Sequence, residues 1–473
     1  MTAIGSEAHP ALERAMQHAS RWLDGLDTRA VGATASLEEL RARLARPLAD
    51  AGVDPAEVVD DLAAATEGGL IGSPGGRFFA WVIGGTLPAA LAADWLTSAW
   101  DQNAGMYATA PAAAVAEEVA GKWLIELLDL PRDASFALVT GCQMAHVTAL
   151  AAARSGVLRD AGWNVETDGL FGAPPIRVLA TATRHATIER ALRFLGIGER
   201  AVRAIPTDDE GRLTPAALEE ALRGGAGPTI VVLGAGELNT GQFDPFGTLI
   251  PIAKRADAWV HVDGAFGLMA RASATKRHLL DGVELADSWA TDAHKWLNVP
   301  YDCGIAIVRD RAAHRASMTV SASYLTPNDR VRDEVDWNPE FSRRARGFAL
   351  YAALRELGRK GLSDLIDRCS AHCRAIVAGI GALPGAEVLW LPELDQGLVR
   401  FLDQRPNATP EDHDARTDAV IGAINATGEA FFGGVTWHGR RAMRVSVVNW
   451  RTSDEEVART IDAARRVLAS TAR

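Results

Sequence analysis

The chain has 473 residues, 48% apolar and 23% charged, the balance of a folded protein with length for two or three lobes. Its formal net charge of -11 offers no field to draw a phosphate backbone or an anionic membrane, so neither nucleic acid nor a membrane surface is an expected partner. Four cysteines are too few for a disulfide scaffold and fit a reducing, cytoplasmic setting.

The opening "MTAIGSEAHPALERAMQHAS" has neither a basic start nor an apolar core, so no secretory leader is expected there. Residues 1–70 read as a helical arm. Apolar residues recur at three- and four-residue spacing, and Ser36 ahead of Glu38 and Glu39 offers a helix cap. The most apolar stretch, "FFAWVIGGTLPAALAADWL", is interrupted by Gly84, Gly85, Pro88 and Asp94, which argues against a membrane span. Residues 71–350 are expected to form a large α/β domain. From about 133 to 310, short β-rich runs ("SFALVT", "IRVLA", "TIVVLG", "AWVHVD", "CGIAIV") alternate with helical patterns, and Thr214-Pro215 starts a helix with a cap followed by proline. That alternation predicts a mostly parallel sheet with helices on both faces and a ligand beyond the carboxyl ends of the strands. Residues 351–473 read as a smaller α+β domain. Within it "CSAHC" places Cys369 and Cys373 on one helical face around His372, a pattern expected of buried thiols rather than of a metal site.

Three places carry chemistry. In "ALVTGCQMAHVTALAAAR" a strand passes directly into a helix at Gly141, Cys142 and Gln143, whose free N–H groups and helix dipole suit an anion such as phosphate. "WVHVDGAFG" delivers Asp263 at the carboxyl end of a strand, beside Gly264 and Ala265, whose small side chains admit a flat ligand. "DSWATDAHKWLNVPYDCG" crowds Asp292, His294 and Lys295 between apolar runs, an unusual setting for a lysine. His185 in "TRHATIERAL" begins a further helix, where an exposed residue is the ordinary expectation. An anion cradle, a strand-end carboxylate, an imidazole and a crowded lysine, in this order on a parallel sheet, meet the requirements of pyridoxal phosphate.

The blocks "HVDGAFG", "DSWATDAHKWLNVPYDCG", "RHATIERA" and "FFAWVIGGTLPAALAADWL" resemble the group II pyridoxal-phosphate-dependent amino acid decarboxylases, which include aromatic amino acid, histidine and glutamate decarboxylases. The similarity runs from about residue 70 onward. It implies a fold type I homodimer with active sites at the subunit interface and an amino acid as substrate. Lys295 would carry the Schiff base, Asp263 would pair with the pyridine nitrogen, Ala265 would lie under the ring and His185 would stack above it. His294, with Gly141, Cys142, Gln143 and Asp292, would hold the phosphate. Phe79, Trp81, Ile83 and Tyr107 are expected to line an apolar substrate pocket, favouring an aromatic or other hydrophobic L-amino acid. Arg444 falls where glutamate decarboxylases bind the substrate carboxylate.

Three departures from the family stand out. Its phosphate loop has small residues in many members where this chain has Cys142 and Gln143, which backbone binding could tolerate. Its Gly-Thr-Thr reads Gly236-Glu237-Leu238 here, removing hydroxyls near the cofactor. Aromatic amino acid decarboxylases also carry, on a loop reaching over the partner's site, a tyrosine thought to return the proton to Cα. Here "YLTPNDRVRDEVDWNPEFSRRARGF" has Tyr324 at its start and Glu334 near the tyrosine position. Glu334, Asp336, His185 and Tyr324 are the replacement candidates. The expected reaction is decarboxylation to the amine. Oxidative deamination to an aldehyde is the nearest rival, followed by transamination or aldol cleavage on the same fold. A non-catalytic scaffold or sensor would need neither Lys295 nor Asp263.

Overall fold

The computed structural model describes residues 8–319 and 331–470. It opens with helices α1 (Ala8–Asp24), α2 (Leu37–Leu44) and α3 (Pro55–Thr66). Ser36 caps α2 reciprocally: its hydroxyl accepts the Glu39 N–H at 3.2 Å, and the Glu39 carboxylate accepts the Ser36 N–H at 2.7 Å. Asp54 caps α3 ahead of Pro55 at the first helical position. The apolar stretch beginning at Phe78 yields α4 (Pro88–Trp100), followed by α5 (Pro111–Leu127). Among the described residues no helix is long and apolar enough to cross a membrane.

Seven strands form the main sheet: β1 (Ser135–Val139), β2 (Arg177–Thr181), β3 (Val202–Ile205), β4 (Thr229–Gly234), β5 (Trp259–Asp263), β6 (Ser288–Asp292) and β7 (Gly304–Val308). Their order is β1-β7-β6-β5-β4-β2-β3. The run from β6 to β3 is parallel, whereas β7 is antiparallel to both β6 and β1. Residues 293–303 between β6 and β7 are too few for a helical crossover, so the chain has to return antiparallel. The helices of this region are α6 (Cys142–Asp160), the short α7 (Val165–Asp168), α8 (Ala186–Phe194), α9 (Pro215–Arg223), α10 (Phe246–Lys254) and α11 (Arg311–Met318).

Both faces of the sheet are covered. Leu179, Val231, Val260 and Val262 belong to one hydrophobic cluster, and Val178, Ala180, Ile230 and Val232 to the other. Consecutive apolar residues are therefore all buried, which explains why these strands lack alternation in the sequence. Each such side chain contributes about 1.5–3 kcal/mol on burial.

Helix α12 (Gly347–Gly381), broken by non-helical backbone at Gly358, leads to a second sheet. Strands β8 (Ala386–Trp390), β9 (Gln396–Phe401), β10 (Gly433–Trp437) and β11 (Arg440–Ser446) pair antiparallel in the order β10-β11-β9-β8, with α13 (Pro410–Ala426) and α14 (Asp454–Ser470) completing the structure. Cys369 and Cys373 are buried on α12, their sulfurs facing the carbonyls of Asn449 at 3.5 Å and Val445 at 3.6 Å. A fully buried ion pair fixes the segment before α12. Arg343 meets the Glu117 carboxylate at 2.8 and 3.1 Å and also donates to the carbonyls of Ala104 and Leu138. Breaking such a pair on one side costs about 3–5 kcal/mol.

Candidate active site

A cavity of about 450 Å³ opens beyond the carboxyl ends of the parallel strands. Its wall brings together Trp81, Ile83, Gly141, Cys142, Gln143, His185, Asp263, Ala265, Asp292, His294, Lys295 and Arg444, which are far apart in sequence. The sheet delivers them: Gly141 follows β1, Asp263 ends β5, Asp292 ends β6, and the turn after β2 leads to His185.

The entry to α6 lies against the start of β7. A Cβ on Gly304 would stand 2.3 Å from the carbonyl carbon of Gly141, so only glycine permits this approach. Gly84 is equally constrained, because its Cβ would meet the Lys295 carbonyl oxygen at 2.1 Å. These contacts hold the helix N-terminus and the lysine loop in fixed relation.

That N-terminus already holds an anion. The Cys142 N–H donates to Asp292 Oδ1 at 2.6 Å, and Asp292 Oδ2 is 3.1 Å from Lys295 Nζ. Burial opposes the charge on Lys295, but the Asp292 carboxylate outweighs it, so the lysine pKa stands above its ordinary value. Gln143 Oε1 is buried without a partner, while its amide nitrogen donates to Thr187 O at 3.2 Å.

The histidines have assignable tautomers. His294 Nδ1 accepts the Cys303 N–H at 3.3 Å, leaving its Nε2–H to face Asp292 Oδ1 at 3.4 Å. His185 caps α8, its Nδ1 accepting the Thr187 N–H at 3.3 Å, so its proton sits on Nε2. Burial lowers the pKa of both rings. His185 keeps the solvent access that its position alone suggests, but its ring stands at the cavity wall, where the crowding of surrounding protein, not full enclosure, disfavours its charge. Burial would raise the Asp263 carboxyl, but the facing His146, with His185 and the Ala265 N–H, more than reverses this and holds it below the usual carboxylate range. On β11, Arg444 is buried and its pKa lowered by that burial; Nη1 donates to Leu238 O at 3.1 Å.

Other candidates fall elsewhere. Phe79 is fully buried against Phe432, ring centroids 5.3 Å apart, and does not line the cavity. Trp81 has φ 52, which breaks the two-residue alternation, so Trp81, Val82 and Ile83 all reach the wall while Phe79 turns into the core. Tyr107 also lies off this chain's cavity, because its segment is tied to the stretch before α12: its N–H donates to Asp333 Oδ1 at 2.8 Å, and Val335 N–H to Gly105 O at 2.9 Å. Glu334 is fully buried against Arg332 at 2.7 Å and is likewise absent from the wall of its own chain. Asp336 pairs with Arg315 at 2.8 Å. Tyr324 lies outside the described residues.

Several wall residues were not anticipated. Thr181 ends β2 and Thr183 and Arg184 come from the turn after it, and Leu238 and Tyr301 add apolar surface. The Tyr301 ring lies 4.3 Å from that of His294. Glu237 is consumed by its own turn, accepting from the N–H groups of Asn239 at 2.6 Å and Thr240 at 2.8 Å. His146 and His261 stand behind Asp263. The signals for them were spacing, since His146 is one helical turn after Cys142 and His261 two residues before Asp263 on the same strand face.

The donor set fits pyridoxal phosphate. With the Cys142 N–H taken by Asp292, the phosphate would fall to the Gln143 end of the α6 N-terminus and His294, Asp292 itself offering no donor; Asp263 would take the pyridine N–H and Lys295 the aldehyde carbon, with Ala265 and His185 on the two sides of the ring.

Comparison with known proteins agrees. The profile described as "Pyridoxal-dependent decarboxylase conserved domain" matches residues 48–402. L-2,4-diaminobutyrate decarboxylase of Rhizobium meliloti (strain 1021) is 31% identical over 388 residues, 79% of this chain and 74% of that protein. Tryptophan decarboxylase 1 of Oryza sativa subsp. japonica is 31% identical over 396 residues, 78% of this chain and 76% of that one. The crystal structure of Oryza sativa TDC with PLP and tryptamine superposes with a TM-score of 0.92 at 25% identity, covering all of both chains (100% and 100%).

Proposed function

The chain belongs to the pyridoxal-dependent decarboxylase family, as a pyridoxal-phosphate-dependent amino acid decarboxylase of fold type I, and on that premise we propose that its substrate is an aromatic or other hydrophobic L-amino acid. The observation that carries this is how the cavity's charges are spent. Trp81, Val82, Ile83, Leu238, Phe266 and Tyr301 supply apolar wall. Asp244 accepts the N–H groups of Leu213 and Gly234 at 2.7 Å each, and Glu237 closes its own turn. Asp292 serves Cys142 and Lys295, and Asp263 faces His146. No carboxylate on the described wall is left for a cationic side chain. Arg184 is paired with Glu189, and Arg444 is reserved for the substrate carboxylate, so a second acidic group has no partner there.

When bound, the cofactor supplies an electron sink for the pair left at Cα as carbon dioxide departs. This chain's residues set the stage for it. Arg444 would anchor the substrate carboxylate, Asp263 would hold a negative charge for the pyridine N–H, and Lys295 would supply the amine that holds the cofactor. Desolvation by the apolar wall favours loss of the substrate's charged carboxylate. His185 Nε2–H and the Tyr301 hydroxyl are the wall donors closest in chemistry to the missing loop tyrosine.

A homodimer, with the site completed by the partner, is part of the same proposal. Trp95, Leu96 and Trp100 on α4 and Val58 and Leu62 on α3 are exposed apolar side chains of the kind an interface covers. The four buried, unbridged cysteines agree with a cytoplasmic setting. A second reading, oxidative deamination to an aldehyde, draws on Glu334, whose commitment to Arg332 leaves the usual loop position without a free acid.

The deciding experiment incubates the cofactor-loaded protein with each standard L-amino acid and L-2,4-diaminobutyrate, recording carbon dioxide, oxygen uptake and product mass. Hydrophobic substrates giving carbon dioxide and amine without oxygen uptake are expected. Preference for diaminobutyrate or glutamate overturns the substrate class, and aldehyde with oxygen uptake selects the second reading.

A further inference from the structure

Behind Asp263 lies a row of buried polar side chains that the proposed reaction leaves unused. Trp259, His261 and Asp263 alternate along β5 and share the face covered by α6, where a Cβ on Gly156 would meet the Trp259 ring at 2.6 Å. His146 comes from α6, and Ser288 from β6, in register with His261. His146, His261 and Ser288 are fully buried. The Trp259 indole N–H donates to Ser288 Oγ at 2.9 Å, and Ser288 Oγ is 2.9 Å from His261 Nδ1. His261 Nε2 is 3.0 Å from His146 Nδ1, and His146 Nε2 faces Asp263 Oδ1 at 3.5 Å.

The two ends set the direction of the protons. An indole only donates and a carboxylate only accepts. With neutral imidazoles, one arrangement satisfies every atom. Ser288 receives the indole proton and donates its hydroxyl to His261 Nδ1; His261 donates from Nε2 to His146 Nδ1; and His146 Nε2–H points at Asp263. The reverse tautomers would set the bare Nε2 lone pair of His146 against a buried carboxylate, which is strongly disfavoured. Cys142 Sγ, 3.4 Å from the same Nε2, competes for it only as a weak thiol partner, because burial and the nearby carboxylates keep its proton on. A bond to an ionised carboxylate outweighs that contact. Burial pushes the His261 pKa down to about 3, consistent with a neutral link in the row.

We infer that His146 is a positioning residue for the cofactor reaction: through a one-way hydrogen-bond row from Trp259, Ser288 and His261 it holds Asp263 ionised and aimed at the pyridine nitrogen. The row acts on Asp263, not on substrate, and the inference rests on the pyridoxal-phosphate reading. Groups facing Asp263 from other elements are His185 at the head of α8 and Lys295 after β6, and both remain in every variant below.

The test uses full-length protein loaded with pyridoxal phosphate carrying ¹⁵N in its ring, read by nitrogen NMR together with steady-state kinetics. The unsubstituted protein should show a protonated pyridine nitrogen. In His146→Leu the signal should move toward the unprotonated position and kcat fall about 10- to 100-fold, as for other outer-shell partners, with KM little changed. His146→Gln, which keeps an N–H at the equivalent place, should recover most of the signal. Should His146→Leu not fold, Ser288→Ala serves instead, with a smaller shift in the same direction. An unmoved nitrogen signal in both His146→Leu and Ser288→Ala, whatever the activity, overturns the inference. Failure of the cofactor reading itself would look different: the unsubstituted protein would show no visible band and no bound nitrogen signal.

Discussion

Lys295 has its ammonium 3.1 Å from Asp292 and Trp296 packed fully buried beside it, at the wall of the cavity, the setting that the proposed covalent role requires. Lys295→Ala should lose the visible band of lysine-bound cofactor and all turnover; an unchanged spectrum would reassign the attachment. Asp263→Ala should retain cofactor but lose about 10²–10³ in kcat, the scale for removing one preorganised charge partner. That Lys295, Asp263 and His185 would meet at one cavity was legible in the sequence, because each sits in a recognisable block at a strand end or helix start. His146 was not, because its helical position says nothing of the strand beneath it. Phe79 was misplaced for a local reason: the left-handed backbone at Trp81 shifts the alternation of its segment, and no residue pattern announces that.

At the level of elements, caps and strand runs were readable, and the sense of β7 was not, since it depends on the length of a connection. Strand β9 also carries a charge that sequence could not place. Asp395, just ahead of it, is fully buried; Gln396 donates to Oδ2 at 2.8 Å, Oδ1 has no partner, and burial pushes the carboxyl up to about 7. Between the ordinary aspartate value of 3.8 and about 7 the folded protein keeps a proton that the unfolded chain releases. By linkage, stability should fall as pH rises through that window. Urea midpoints measured from pH 4 to about 7 should fall less for Asp395→Asn than for the unsubstituted protein; what slope remains combines Asp244, raised to about 6, and Glu334, raised to about 8, with the opposite slope of His261 and His314, which burial keeps neutral in the fold. Parallel curves would mean that Asp395 is ionised throughout.

For the whole molecule, the layered α/β architecture followed from strand–helix alternation, whereas the surface proposed to join two copies did not, because exposed apolar residues have no sequence signature of their own. Leu96→Arg, on the exposed face of α4, should convert dimer to monomer in sedimentation velocity and reduce turnover with it, while the fold, read by circular dichroism, persists. A monomer that remains fully active would place the whole site within one chain. The indoles of Trp259, Trp289 and Trp296, all buried on or beside the strands that carry the cofactor-facing residues, have an optical consequence. Their ultraviolet emission overlaps the absorption of lysine-bound pyridoxal phosphate at short range, so resonance energy transfer makes cofactor occupancy visible as quenching, and the protein carries its own gauge of loading.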